Sequence, residues 1–197
     1  MALPKQILYI DGNYIKAYSH ITGNVDENDL LPSIIQAQDS QIQPILGTNL
    51  YNKLKTLIKD GTISNVGNAA YETLLQDYVQ MCTMKWTLVY FYPYLHGNIG
   101  NGIIGTRNID NMTSLSQDEV NSLIDTERSN AQFYTERLIN YLLLGGQQTA
   151  LPEYNQDTLN QMTPETQAYS EGGLTISGQN YGTNRLAKWN CCGGFNS

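Results

Sequence analysis

The residues best able to do chemistry in this chain are few and far apart. Its two histidines, His20 and His96, are predicted to lie in a strand and at the end of a helix. Neither is spaced from acidic residues as a zinc site or a general base would require. Because His96 would stand at a helix C-terminus, we interpret it as a partner of the helix dipole.

A glycine motif suggests a second kind of chemistry, the binding of a dinucleotide. The segment Gly100-Asn-Gly-Ile-Ile-Gly105 matches the glycine spacing of dinucleotide-binding proteins. That motif binds a pyrophosphate only where a strand precedes it and a helix opens at its last glycine. Here a helix is predicted before it, and residues 106–114 have no apolar period. We therefore predict a glycine-rich loop and no bound cofactor.

Acidic residues on the last predicted helix are candidates for a pair of catalytic carboxylates. We interpret them as an acidic helix start followed by a solvated face, paired with Arg128 and Arg137. The sequence offers no nucleophile with a base, no phosphate-binding loop and no metal-ligand cluster, so we predict that the protein is not an enzyme. The acidic residues in question are Asp118, Glu119, Asp125 and Glu127.

The three cysteines do not form a disulfide framework. Cys82 stands in an apolar helical stretch and is predicted to be a small core residue. Cys191 and Cys192 lie near the C-terminus without a nearby histidine, so a metal site there is not expected.

Composition and charge indicate a protein that contacts other proteins. The chain has 197 residues, with 11 Lys+Arg against 18 Asp+Glu, a net charge of −7, and 14 tyrosines. An acidic chain is a poor binder of phosphate backbones, and we interpret the lysines at 53, 55 and 59 as a solvated helix face. No apolar run is long enough to span a bilayer or act as a signal peptide, so we expect neither membrane insertion nor export.

The first 146 residues are predicted to form one helical domain with an N-terminal β-hairpin. Residues 6–21 alternate in polarity around Asp11-Gly12, a dipeptide typical of hairpin turns. A first helix should start near Leu30 behind a cap at Asn28 or Asp29, and end at Gln43-Pro44, because the residue before a proline avoids the α region.

Three further helices follow. Thr48 is predicted to cap the second helix. A long third helix, from about Ala69 to Tyr92, should be kinked or ended by Pro93. Ser116 and Glu119 have the spacing of a capping box, which predicts that the last helix begins there and ends at Gly145-Gly146.

Residues 147–197 are predicted to be an extended, largely irregular C-terminal arm. Gln, Asn, Thr and Gly dominate it, and it shows little periodicity. Its spaced aromatic residues suggest that it becomes ordered against a neighbouring subunit. The predicted contact residues are Tyr154, Tyr169, Tyr181 and Trp189.

One stretch of the sequence resembles a known family. Residues 21–54 combine a turn, an acidic helix cap, the helix segment Ile34-Ile-Gln-Ala-Gln38 and the segment Ile45-Leu-Gly-Thr-Asn-Leu-Tyr51. A tyrosine-rich helix end, Tyr90-Phe-Tyr-Pro-Tyr94, precedes the glycine loop. This pattern resembles the head-to-tail connector, or adaptor, proteins of tailed bacteriophages, and is most similar to the ring proteins of crAss-like phages. The resemblance covers roughly residues 5–145.

The resemblance implies a mainly α, four-helix adaptor-like bundle that acts as a structural protein of the phage neck. Such proteins form a ring, usually of twelve copies, beneath the portal protein. The ring extends the channel for the passing DNA without sequence-specific binding, and it docks further neck or tail proteins. The implied location is the virion neck, with the host cytoplasm before assembly.

Two alternatives stay open. The first is another phage neck or tail-completion protein. The second belongs to a different class: a small helical ligand-binding or regulatory domain, with the glycine loop as a lid.

Overall fold

The computed structural model describes residues 6–21, 25–100, 103–106, 116–144, 147–155, 162 and 164. The described chain is mainly helical, as the sequence predicts. Its helices are α1 (Gly12–Tyr18), α2 (Glu27–Ala37), α3 (Gln43–Lys59), α4 (Ala69–Thr73), α5 (Gln80–His96), α6 (Gln117–Leu143) and α7 (Gln147–Ala150).

The predicted N-terminal β-hairpin at residues 6–21 is wrong, since this segment contains helix α1 instead. Asp11 has an extended backbone, and its Oδ1 accepts a hydrogen bond from the backbone N–H of Tyr14 at 2.8 Å. This is the geometry of a helix N-cap. Asp-Gly therefore starts a helix here rather than turning a hairpin, and Ile15 carries the buried face.

The first long helical region begins earlier and ends later than predicted. α2 begins at Glu27, because Asp26 caps it by accepting from the backbone N–H of Asn28. The predicted end at Gln43-Pro44 is wrong: a π-helical segment, Gln38–Ile42, leads directly into α3. Pro44 lies in the first turn of α3, and because the helix is continuous there, its missing N–H removes one backbone hydrogen bond.

The break in this region lies at Gly47. Its φ of 73° and ψ of 159° are not helical and divide α3 into two parts. Such a backbone conformation is open essentially to glycine alone. The second part begins after Gly47, which agrees with the helix start predicted at Thr48.

The third predicted helix is present and extends further than expected. α4 continues through a π-helical segment, Leu74–Val79, into α5, which passes Pro93 and ends at His96. A proline within a helix removes one backbone hydrogen bond, and α5 continues despite that loss. The glycine-rich stretch predicted to be a loop instead contains strands β1 (Gly97–Gly100) and β2 (Ile103–Thr106), which pair antiparallel.

The start of α6 confirms the capping-box prediction. The backbone N–H of Ser116 donates to Oε2 of Glu119 at 2.8 Å, and the backbone N–H of Glu119 donates to Oγ of Ser116 at 3.3 Å. The helix ends at Leu143, just before the two glycines that were predicted to stop it.

Helix α5 joins two apolar clusters. Cys82, buried as predicted, belongs to the larger cluster with residues of α3 and α6, whereas Met84 and Leu88 belong to a smaller cluster with α1 and α2. Burial of this kind is the main favourable contribution to folding. In the described part of the chain, no helix is both long and apolar enough to cross a membrane.

Candidate functional site

Among the residues that the structure describes, the chemically capable side chains are not brought together. His20 is exposed on the turn after α1. Asp118 and Asp125 are exposed on α6, and Asp125 pairs with Arg128 at 2.9 Å. Within the residues that the structure describes, no group of three or more His, Cys, Asp or Glu side chains could hold a metal ion.

Glu127 is an exception to the predicted solvated face of α6. Its carboxylate is buried and lies 3.1 Å from Nζ of Lys85 on α5. An ion pair that is largely removed from water requires both partners, because either charge alone would be costly to bury. The pair therefore ties α5 to α6 and has a structural role.

A second polar contact joins the same two helices. Oγ1 of Thr135 accepts a hydrogen bond from Nε1 of Trp86 at 2.9 Å and lies 3.5 Å from Sγ of Cys82. Burial raises the pKa of the Cys82 thiol to about 12, while the hydrogen bond with Thr135 opposes that rise. The thiol is consequently neutral at ordinary pH, which makes it a poor nucleophile.

Gln38 forms the centre of a buried polar network. Its amide group contacts the backbone of the N-terminal segment at Ile7 and Tyr9, and its Nε2 lies 3.2 Å from the Tyr51 hydroxyl. The Tyr51 hydroxyl donates in turn to Oδ1 of Asp39. Burial raises the pKa of both Tyr9 and Tyr51, and the neighbouring carboxylate of Asp39 raises them further. The network holds residues 7–9 against the π-helical segment and α3.

Two lysines of the predicted solvated cluster are engaged instead. Nζ of Lys55 lies 4.2 Å from the ring centroid of Tyr51 and 3.9 Å from Oδ1 of Asp39, and burial lowers the pKa of this lysine. Lys53 lies 4.0 Å from Glu153. Lys59 remains exposed. The cluster is therefore not a free basic patch of the kind that phosphate binding uses.

An open groove runs between α2, α5 and α6. It has a volume of about 520 Å³. The hydroxyl of Tyr90 accepts from Nε2 of Gln41 at 2.6 Å, which fixes the aromatic ring along the groove. Amide and aromatic side chains of this kind can hydrogen-bond and pack against a partner segment. The groove residues are Gln36, Val89, Tyr90, Pro93, Tyr94, Asn121, Ile124, Asp125 and Arg128.

Aromatic side chains of α1 and α6 form a partly exposed patch. We define it as Tyr14, Tyr18, Phe133 and Tyr134. Tyr18 and Phe133 are 60% and 61% exposed. The rings of Tyr14 and Tyr18 lie 4.7 Å apart, and those of Phe133 and Tyr134 lie 5.4 Å apart. Burial raises the pKa of Tyr14, with smaller contributions from Tyr18 and Tyr134.

The start of the predicted C-terminal arm packs on the helical domain. We call residues 147–155 with Met162 and Pro164 the strap. Leu151 and Tyr154 are buried in the larger apolar cluster. Oε2 of Glu153 accepts from the Tyr71 hydroxyl at 2.5 Å. Burial and this bond raise the pKa of Tyr71.

The far end of the strap lies over the break in α3. The backbone N–H of Thr48 donates to the carbonyl oxygen of Met162 at 3.0 Å, and the backbone N–H of Met162 donates to Oγ1 of Thr48 at 3.1 Å. A Cβ atom at Gly47 would lie only 2.9 Å from the Pro164 ring. The sequence signal for this contact is a glycine inside a helical pattern, which does not identify the segment that packs on it.

Of the predicted contact residues, Tyr154 is thus enclosed by its own chain. Its predicted contact with another subunit stays a prediction. Tyr169, Tyr181 and Trp189 lie outside the described residues.

Comparison with known proteins adds one match. A family of unknown function, DUF6712, matches residues 42–161, from the end of the first π-helical segment to the residue before Met162. The chain belongs to this family. No curated protein and no solved structure matches the chain significantly. The matched range includes residues 147–155, so the first part of the strap belongs to the same family unit as α3, α4, α5 and α6.

Proposed function

We propose that this DUF6712 protein is a structural head-to-tail connector of a tailed phage. It assembles as a ring, twelvefold in the resembling family, beneath the portal protein. The ring extends the DNA channel and docks neck or tail proteins. The helical architecture is, on this proposal, an adaptor-like bundle, and the acidic chain lets DNA slide past because like charges repel.

The aromatic patch carries the proposal. Protein interfaces are enriched in tyrosine and phenylalanine and depleted in charge at their centres. Tyr18 and Phe133 are more than half exposed, and apolar side chains grouped on a surface are typical of protein interaction sites.

A ring of identical subunits requires a second interaction surface that differs from the aromatic patch. Ring interfaces are head-to-tail, so each subunit needs two complementary faces. The aromatic patch and the groove lie on different faces of α6: Phe133 and Tyr134 belong to the patch, whereas Asn121, Ile124 and Arg128 line the groove. One can therefore meet the preceding subunit and the other the following subunit or a tail protein.

Quantitative mass spectrometry of purified virions tests the virion role. The copy number should equal that of the portal subunit. A ratio of one half would favour the alternative of a sixfold neck or tail-completion protein. Absence from the particle would refute the connector proposal.

Variants of the patch test its role in assembly. The double variant Tyr18→Ser/Phe133→Ser should lose ring formation in native mass spectrometry while it keeps the helical circular dichroism spectrum. Val66→Ser is the matched control, because Val66 is 98% exposed on a separate turn. Rings that form equally well with the double variant would remove the patch from the interface.

The groove favours one alternative function of a different class. A volume of about 520 Å³ is within the range of small-molecule sites, so a helical ligand-binding or regulatory domain is the second candidate. Native mass spectrometry of protein purified from its natural host would detect a bound small molecule. An Arg128→Ala variant that loses this molecule would assign it to the groove.

A further inference from the structure

The strap is held on the helical domain by three separate sets of contacts. Leu151 and Tyr154 fill the apolar cluster, Glu153 binds the Tyr71 hydroxyl near Lys53, and Met162 pairs with Thr48. The Glu153 and Met162 contacts are made to α3 and α4, at sequence separations from 82 to 114 residues. The surface that receives the strap is therefore built by a part of the chain distant from the strap itself.

The strap fits this surface incompletely. The hydroxyl of Tyr154 is buried, and among the described residues it has no hydrogen-bond partner. A buried hydroxyl without a partner costs about 1–3 kcal/mol. The bound strap is thus held less tightly than its apolar contacts alone would give, which makes its release from the surface easier.

The sequence that connects α6 to the strap is suited to act as a hinge. Two consecutive glycines, Gly145 and Gly146, separate it from α6 in the sequence, and glycine accepts backbone conformations that other residues avoid. Leu143 and Leu144, just before them, are both exposed. A neighbouring subunit that bound the strap would lie close to these two leucines and would cover them.

We infer that the strap is exchanged between copies of this chain in the assembled protein. The strap of one copy occupies the Gly47–Thr48 surface of the next copy with the contacts seen here within one chain. Exchange needs little additional binding energy, because the same contacts are made in both states. In an assembly the neighbouring site is also present at high effective concentration. The inference deepens the proposed function and rests on the ring that it requires.

Cysteine cross-linking distinguishes the two courses of the strap. Backbones that are hydrogen-bonded to each other bring Cα atoms to about 5–6 Å, a separation that a disulfide can bridge. In a background of Cys191→Ser and Cys192→Ser, chains with Thr48→Cys and differently tagged chains with Met162→Cys are co-expressed and oxidised. Exchange predicts disulfide-linked pairs of chains that carry both tags.

Two controls define the result. A mixture of Thr48→Cys and Val66→Cys chains reports linkage by random collision, since Val66 is fully exposed and makes no described contact with the strap. A chain with both Thr48→Cys and Met162→Cys reports linkage within one chain or, by repeated exchange, a ladder of linked chains. Native mass spectrometry before oxidation gives the assembly state of each sample.

Each outcome has a separate meaning. Rings with cross-links between chains support both the ring and the exchange. If rings form but disulfides appear only in the chain with both cysteines, and only within single chains, the exchange is refuted and the ring is supported. Linked dimers without rings support the exchange and refute the ring. Monomers with linkage only within single chains overturn both.

Discussion

The side chain of Gln38 binds the backbone on either side of Leu8 as a neighbouring strand would. Its Oε1 accepts from the backbone N–H of Tyr9 at 3.0 Å, and its Nε2 donates to the carbonyl oxygen of Ile7 at 3.0 Å. Gln38 is fully buried. A single amide group therefore satisfies two backbone groups that have no strand beside them.

Replacement of Gln38 by methionine should destabilise the protein by about 2–4 kcal/mol. Methionine matches the length of glutamine but leaves the backbone groups of Ile7 and Tyr9 without this partner, and each unpaired buried group costs about 1–3 kcal/mol. Urea denaturation followed by circular dichroism measures the loss. Gln36→Met, at an exposed position of the same helical region, should change stability by less than about 0.5 kcal/mol. Equal effects of the two variants would contradict the role of Gln38.

Local signals of the sequence predicted some elements and misled at others. Ser116 and Glu119 specify the start of α6 because both capping bonds are made within four residues. Asp11-Gly12 is ambiguous, since aspartate favours both hairpin turns and helix caps. Only the packing of Ile15 into the cluster with α5 decides for the helix.

Contacts between distant residues could not be predicted. Glu127 has the sequence surroundings of a solvated helix residue, and its partner Lys85 is 42 positions away. The contact between the strap and the surface at Gly47 likewise involves residues more than a hundred positions later in the sequence. The aromatic patch likewise combines residues of α1 and α6, which are distant in the sequence. The amino-acid composition therefore predicted a contact surface but not its position.

The buried ion pair between α5 and α6 should be costly to break from one side. Lys85→Met leaves the carboxylate of Glu127 buried without its cation, and the expected loss is about 3–5 kcal/mol. Lys85→Met/Glu127→Leu should recover most of this, because apolar residues can replace a buried pair at little cost. The exposed pair gives the comparison: Asp125→Asn should cost less than about 1 kcal/mol. A double variant as unstable as the single one would argue against this account.

Gly47→Ala should be destabilising and should release the strap. The φ of 73° at this position strains any residue with a Cβ, by about 1–3 kcal/mol, and the new atom would also collide with Pro164. Gly61→Ala is the matched control, since Gly61 has a similar φ of 65° but open space around it. Limited proteolysis with mass spectrometry should find faster cleavage between residues 155 and 164 in Gly47→Ala than in Gly61→Ala. Equal cleavage would mean that Gly47 does not seat the strap.

The buried thiol of Cys82 should make stability fall at alkaline pH. Its pKa is raised by burial from an ordinary value of 9.0 to about 12. The unfolded chain therefore releases this proton first, and between pH 9 and 12 the folded state holds more protons than the unfolded state. The contribution of the protonated thiol to the free energy of unfolding is complete below pH 9. Between pH 9 and 12 it falls by about 1.4 kcal/mol per pH unit.

Cys82→Ala isolates this contribution from the buried tyrosines, which titrate in the same direction. Between pH 9 and 11 the free energy of unfolding of the variant should decline less steeply than that of the parent, by about 1.4 kcal/mol per pH unit. At pH 7 the variant should be less stable than the parent by about 1 kcal/mol, because it leaves a small cavity beside Thr135. Denaturation curves at a series of pH values measure both effects. Parallel declines for the two proteins would show that the thiol titrates equally in the folded and unfolded states.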